Sequence, residues 1–152
     1  EGGSRCANVT ARERGRGTSE QVECIVLPEG GQRVNCPRKD IMRPRVHVDD
    51  VAEAFVRVTL ADSSHYPLYN TGGTPISMGD LADIVRGFLP DAQITFDSDG
   101  GREDSGNFLV DNSRLLGEFE LEYPPFPTRV LQIINEVRSD EGLPLEIGRA
   151  HV

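Results

Sequence analysis

Apolar residues recur through the second half of the chain at helical spacing, in blocks separated by Gly and Pro. Val51, Ala54, Phe55 and Val58 stand at i, i+3, i+4 and i+7, so they share one helical face. Leu81, Ile84, Val85 and Phe88 repeat the pattern, with Leu89 beside them. Pro90 ends that helix, because it has no N–H to continue the ladder. A last stripe, Val130, Leu131, Ile134 and Val137, follows Thr128, which is expected to open its helix. Asp50 with Glu53, and Ser77 with Asp80, have the spacing of a capping box, in which polar side chains satisfy the free N–H groups of a first turn. Thr18 with Gln21 heads an earlier helix carrying Val22, Ile25 and Val26, closed by Pro28 and Gly30-Gly31.

Between these blocks lie short apolar runs that read as strands: Arg5–Val9, a stretch around Val34, Val46–Val48, Leu68–Asn70, Ile94–Phe96 and Phe108–Val110. Leu68–Asn70 is expected to stop at Thr71-Gly72-Gly73. Asp111 or Ser113 is expected to cap a single helical turn closed by Gly117. Strands alternating with amphipathic helices predict an α/β protein. No internal repeat interrupts the pattern. The last six residues, I-G-R-A-H-V from Ile147 to Val152, resemble a translated sequencing-library adapter and are left out of the expected fold.

Composition narrows the picture. With 152 residues, 37% hydrophobic and 27% charged, the chain can bury a core and has a globular balance. The net charge is −9, but residues 1–45 carry nine Lys/Arg against six Asp/Glu. An acidic whole argues against nucleic acid as a partner. The basic first third either faces a small phosphorylated ligand or is a solvated arginine-rich loop. No run approaches the roughly 20 apolar residues of a membrane span, and Glu1 to Ser4 have neither region of a signal peptide. Cys6, Cys24 and Cys36 are odd in number, widely spaced and free of any C-x-x-C pair. The expectation is three ordinary thiols in a reducing, cytoplasmic setting. His47, His65 and His151 are too scattered for a metal cluster, so no metal is expected.

Three segments, in order, carry a resemblance. R-C-A-N-V (Arg5 to Val9), a basic loop and G-T-S (Gly17 to Ser19) come first. R-P-R-V-H-V-D-D-V-A-E-A-F (Arg43 to Phe55) follows, and then Y-N-T-G-G (Tyr69 to Gly73) with Ile76-Ser77. Downstream, V-D-N-S-R-L-L-G (Val110 to Gly117) adds a fourth match. Together they resemble the C-terminal half of extended short-chain dehydrogenases/reductases, the NAD-dependent epimerase/dehydratase family. The resemblance spans residues 5–143.

The resemblance implies the last strands of a Rossmann-type doubly wound sheet plus a small C-terminal substrate-binding domain over residues 1–146. It implies NAD or NADP as cofactor, held mainly by an N-terminal half outside this sequence. The family's Gly-rich G-x-x-G-x-x-G turn and its Tyr-x-x-x-Lys proton-transfer pair are both absent here, and Lys39 is the sole lysine. A start at Glu1 rather than Met fits the expectation that both elements lie upstream. No catalytic residue is therefore expected in this sequence, and activity belongs to the complete protein.

By position, Asn8 and Arg43 match diphosphate contacts, and Thr18 and Ser19 fall in the substrate loop. Cys6 and Ala7 match positions near the nicotinamide. Arg45 stands where the family usually has an aromatic residue, so it is a second phosphate candidate; a guanidinium suits phosphate because its planar fork donates parallel charge-assisted bonds. His47, Asp49 and Asp50 read as strand-end and helix-cap residues. Thr10-Ala11 departs from the family's Tyr-Gly. The implied ligand is a nucleotide-sugar or similar hydroxylated small molecule, and the complete protein is expected to be a homodimer. Two alternatives share the fold: an NADP-dependent reductase of a small carbonyl compound, and a non-catalytic dinucleotide-sensing regulator.

Overall fold

The computed structural model describes Ile25 and residues 33–36, 38–96, 107 and 109–146. They form a small mixed α/β arrangement: β1 (Val34–Cys36), β2 (Met42–Arg45), α1 (Val48–Leu60), β3 (Thr74–Ser77), α2 (Met78–Phe88), β4 (Ile94–Phe96), α3 (Ser113–Glu118) and α4 (Phe126–Asp140). The expected strand at Arg5–Val9, the helix headed by Thr18 and the tail from Ile147 lie outside the described residues.

Two short sheets organise these elements. β1 pairs with β4 in parallel, Val34 opposite Ile94 and Cys36 opposite Phe96. β2 pairs with β3 antiparallel, Arg43 opposite Ile76 and Pro44 opposite Pro75. Neither proline has an N–H, so this pair occupies the register position whose amides point away from the partner strand. That placement lets a proline-containing segment act as a strand.

The main core lies between α2 and α4. Val85, Val130 and Ile134 are completely buried, and Leu81 and Ala82 are nearly so, with Ile25, Val34, Cys36 and Ile94 packed alongside. The expected stripe of α2 thus meets its partner. The start of α2 also follows the expected box: Ser77 Oγ accepts from Asp80 N at 3.0 Å and donates to Asp80 Oδ2 at 2.6 Å. A second cluster gathers Ala54, Leu115 and Leu121, with Tyr69 and Phe119 at its edge.

Several expectations are corrected. The strand placed at Val46–Val48 lies earlier, at Met42–Arg45, because α1 already begins at Val48. Its cap is not the Asp50–Glu53 box: the His47 ring accepts from Asp49 N at 3.2 Å, while Glu53 pairs with Arg57 one turn on. Leu68–Asn70 is irregular, and the strand follows the glycine turn instead of preceding it. Leu109 and Val110 are likewise irregular. Gly117 lies within α3, which runs to Glu118. The last helix opens at Phe126, ahead of Thr128, with Pro127 in its first turn where a missing N–H costs nothing. Phe55, expected on the buried stripe of α1, is 69% exposed.

Cys36 is disulfide-bonded. This overturns the expectation of three ordinary thiols, since spacing along a chain does not report proximity in space. Disulfides persist in oxidising surroundings, so the thiols no longer argue for a reducing compartment. No helix among the described residues is long and apolar enough to cross a membrane.

Candidate anion site at the end of β2

Side chains two apart on a strand share a face, which puts Arg43 and Arg45 on the same side of β2. Arg43 is half-buried and its Nη1 donates to the Met42 carbonyl at 3.0 Å. Arg45 goes deeper: it is 7% exposed, and its Nη2 meets only the Met78 thioether, at 2.8 Å. Its Nε and Nη1 are buried with no hydrogen-bond partner at all. Burial first, and then the like charge of Arg43, push the Arg45 guanidinium below its ordinary pKa.

The chain turns into α1 directly after this strand. Because His47 Nδ1 accepts the Asp49 amide, the cap is made by the tautomer with its proton on Nε2. Asp50, 6% exposed, faces the other way and is claimed by Arg129 of α4, through Nη2 to Oδ1 and through Nε to Oδ2 at 3.2 Å. That bond, against the opposing pull of burial, raises the Arg129 guanidinium above its ordinary value. Asp49 accepts from Gln132 at 2.8 Å, which with nearby His47 and Arg129 holds its carboxyl below the usual range. Between these groups lies a pocket of about 110 Å³, lined by Arg45, His47 and Arg129 and by the apolar side chains of Ile25, Val46, Leu81, Phe126 and Ile133.

The Thr71-Gly72-Gly73 turn packs against the back of the strand. Gly72 and Gly73 have φ of 60° and 136°, and a Cβ at Gly73 would run into the Arg45 carbonyl. A Cβ at Gly72 would meet the Asn112 side chain. Asn112 Nδ2 and the Tyr123 hydroxyl both donate to the Thr71 carbonyl, at 3.2 and 2.8 Å. Only glycine serves at either position, and β3 begins directly after them.

No family model, curated protein or solved structure matches the chain. The site therefore has to be read from its own residues. Of the candidates named from sequence, Arg43 and Arg45 fall together on β2. Asn8, Thr18, Ser19, Cys6 and Ala7 lie outside the described residues. The described residues offer no Gly-rich strand-to-helix turn for a dinucleotide: the Gly72-Gly73 turn feeds a strand and touches Arg45 and Asn112. Sequence reasoning missed Arg129, Asn112 and Tyr123. Arg129 sits 79 residues from the Asp50 it pairs with, and nothing in the local pattern of α4 marks it.

Proposed function

We propose that the chain is the C-terminal, substrate-binding portion of an NAD(P)-dependent epimerase/dehydratase of the extended short-chain dehydrogenase/reductase type, acting on a nucleotide-sugar or similar hydroxylated substrate. One observation carries the reading. The described segments that bear the resemblance, residues 43–55, 69–77 and 110–117, converge at the Gly72-Gly73 turn, between Arg45 on one side and Asn112 on the other. Far apart in sequence, they form one junction, with the two β2 arginines beside it. On this reading the parallel β1–β4 pair with α2 and α4 belongs to the small substrate-binding domain, while the doubly wound sheet is completed elsewhere.

The cofactor would supply hydride transfer when bound, from a part of the protein other than the residues described here. What these residues contribute is binding: Arg43 offers a positive charge on a half-buried strand, where a diphosphate gains from desolvated pairing. In the complete protein, Arg43→Ala should weaken a nucleotide-sugar by about 1.5–3 kcal/mol, the scale of a charged hydrogen bond. Calorimetric titration of wild type and mutant would measure it. Equal affinities, or no binding to either, would remove the nucleotide-sugar and point to a small carbonyl substrate.

A further inference from the structure

We infer that the outward face of α1 is the surface by which two copies of this chain pair, the helices lying antiparallel with Phe55 of each copy against Ala52 of the other. Neither cofactor nor substrate enters the pairing, so it goes beyond the function proposed above.

The polarity of α1 is inverted. Its four charged residues bond to one another or to the rest of the chain: Asp50 to Arg129, Asp49 to Gln132, Glu53 to Arg57, and Arg57 also to the carbonyls of Phe119 and Glu120. Apolar side chains are left outside, with Val48 64%, Phe55 69%, Val56 51% and Leu60 78% exposed. Leu68, which lines one cleft together with Phe55, is 73% exposed. A large contiguous apolar patch on a folded chain marks an interaction surface.

The spacing of the face names its occupant. Val48, Ala52, Phe55 and Thr59 are all exposed and stand at i, i+4, i+7 and i+11, the repeat of a helix–helix seam. A stripe this narrow is the shape that another helix fills. It is also self-complementary. Turned about a two-fold axis midway between Ala52 and Phe55, the antiparallel seam sets each phenyl ring on the methyl of Ala52, and Val48 against Thr59. A parallel pair would instead set Phe55 on Phe55 and leave a gap at Ala52.

Charge and area agree with this occupant. The seam carries no charged side chain, so an ionic partner has nothing in it to recognise. Val48, Phe55, Val56, Leu60 and Leu68, at roughly 100 Å² each on both copies, give about 1,000 Å², the lower bound for a specific interface. The pair is therefore a weak one, with Kd on the order of 10–100 μM. Well below that concentration the chain is a monomer with Phe55 exposed, and stability measured there is the monomer's.

Sedimentation equilibrium on the 152-residue chain, at loadings from well below that Kd to well above it, tests the pairing. A reversible monomer–dimer equilibrium is expected. Salt should tighten it, because the chain carries a net charge of −9 and screening reduces the repulsion between copies. Ala52→Glu and Phe55→Lys should each weaken pairing by about tenfold or more. Both should melt like the wild type at dilution, since each side chain is exposed, which separates lost pairing from lost folding. Mixed together, the two variants should pair better than either alone, because the antiparallel register sets the new carboxylate against the new ammonium and keeps one Phe55–Ala52 contact. Leu145→Glu, at a residue 61% exposed beyond α4, should leave pairing unchanged. A wild type that stays monomeric would assign the face to some other partner and overturn the inference. Open-ended aggregation, a loss with Leu145→Glu as large as with Phe55→Lys, or a mixture that pairs no better than its components would overturn it equally.

Discussion

α1 and α2 carry the same kind of apolar stripe, yet the structure treats them differently. Around α2 the stripe is closed over: Val85 is completely buried and faces α4, whose Val130 and Ile134 are buried as fully. Around α1 only Ala54 is buried among the four stripe residues, while Phe55, Leu60 and nearby Leu68 are 69%, 78% and 73% exposed. What holds α1 is polar. Asp50 pairs with Arg129, Asp49 accepts from Gln132, and Arg57 donates to the carbonyls of Phe119 and Glu120. Periodicity reports which face of a helix is apolar; it does not report whether anything covers that face. The α2–α4 region is stabilised chiefly by apolar burial, and the α1–α3 region by a few directional contacts over a small cluster.

That contrast fixes an order of mutational effects. Ile134→Ala empties a site with no access to solvent and should cost about 3–5 kcal/mol in urea denaturation, the range for a large aliphatic side chain lost from a closed core. A cost under about 1 kcal/mol would mean that the α2–α4 core is loose, like the region around α1.

An intermediate and pH-dependent effect belongs to Glu118. Its carboxylate accepts from His65 N at 2.7 Å and the Tyr69 hydroxyl at 2.7 Å, with His65 Nδ1 at 3.1 Å. Burial opposes its charge, but these bonds outweigh burial and hold the carboxyl below the usual carboxylate range. A depressed folded-state pKa means that the stabilisation is present above the unfolded pKa and is lost as pH falls through the folded value. Acid should therefore loosen the loop that leads from α1 to the glycine turn. Melting curves from neutral to acid pH should show Glu118→Gln with a flatter pH dependence than the wild type. Parallel profiles would remove Glu118 from the account.

The smallest effect is expected at Phe55. Because it is exposed, Phe55→Ala should change stability by less than about 0.5 kcal/mol. A loss approaching that of Ile134→Ala would show the face of α1 to be covered after all.

Much of the helical framework was legible in the sequence. The α2 stripe, its Ser77 cap and the buried face of α4 could be read because each depends on neighbours within one or two turns. The failures share a cause. At α1, the expected Asp50–Glu53 box gave way because Asp50 found Arg129 79 residues away and the His47 ring took the vacated cap. β2 was hidden by Pro44, which a strand tolerates where its missing N–H would point away from the partner strand. Arg43 and Arg45 were legible as phosphate candidates by residue type and position. That Arg45 is buried without an acceptor was not, since this depends on how β3, α2 and α4 close around it. Cys36 is the same lesson in covalent form: an odd count of widely spaced cysteines gave no sign of the bond.

Native-state hydrogen exchange on the 152-residue chain tests the central contrast most directly. The amides of α2 and α4 should exchange only with global unfolding, at the stability measured by denaturant. Those of α1 and α3 should exchange earlier, through a partial opening that leaves the α2–α4 core intact. A single protection level across all four helices would contradict the account, because it would make α1 and its polar ties as integral to the fold as the buried core.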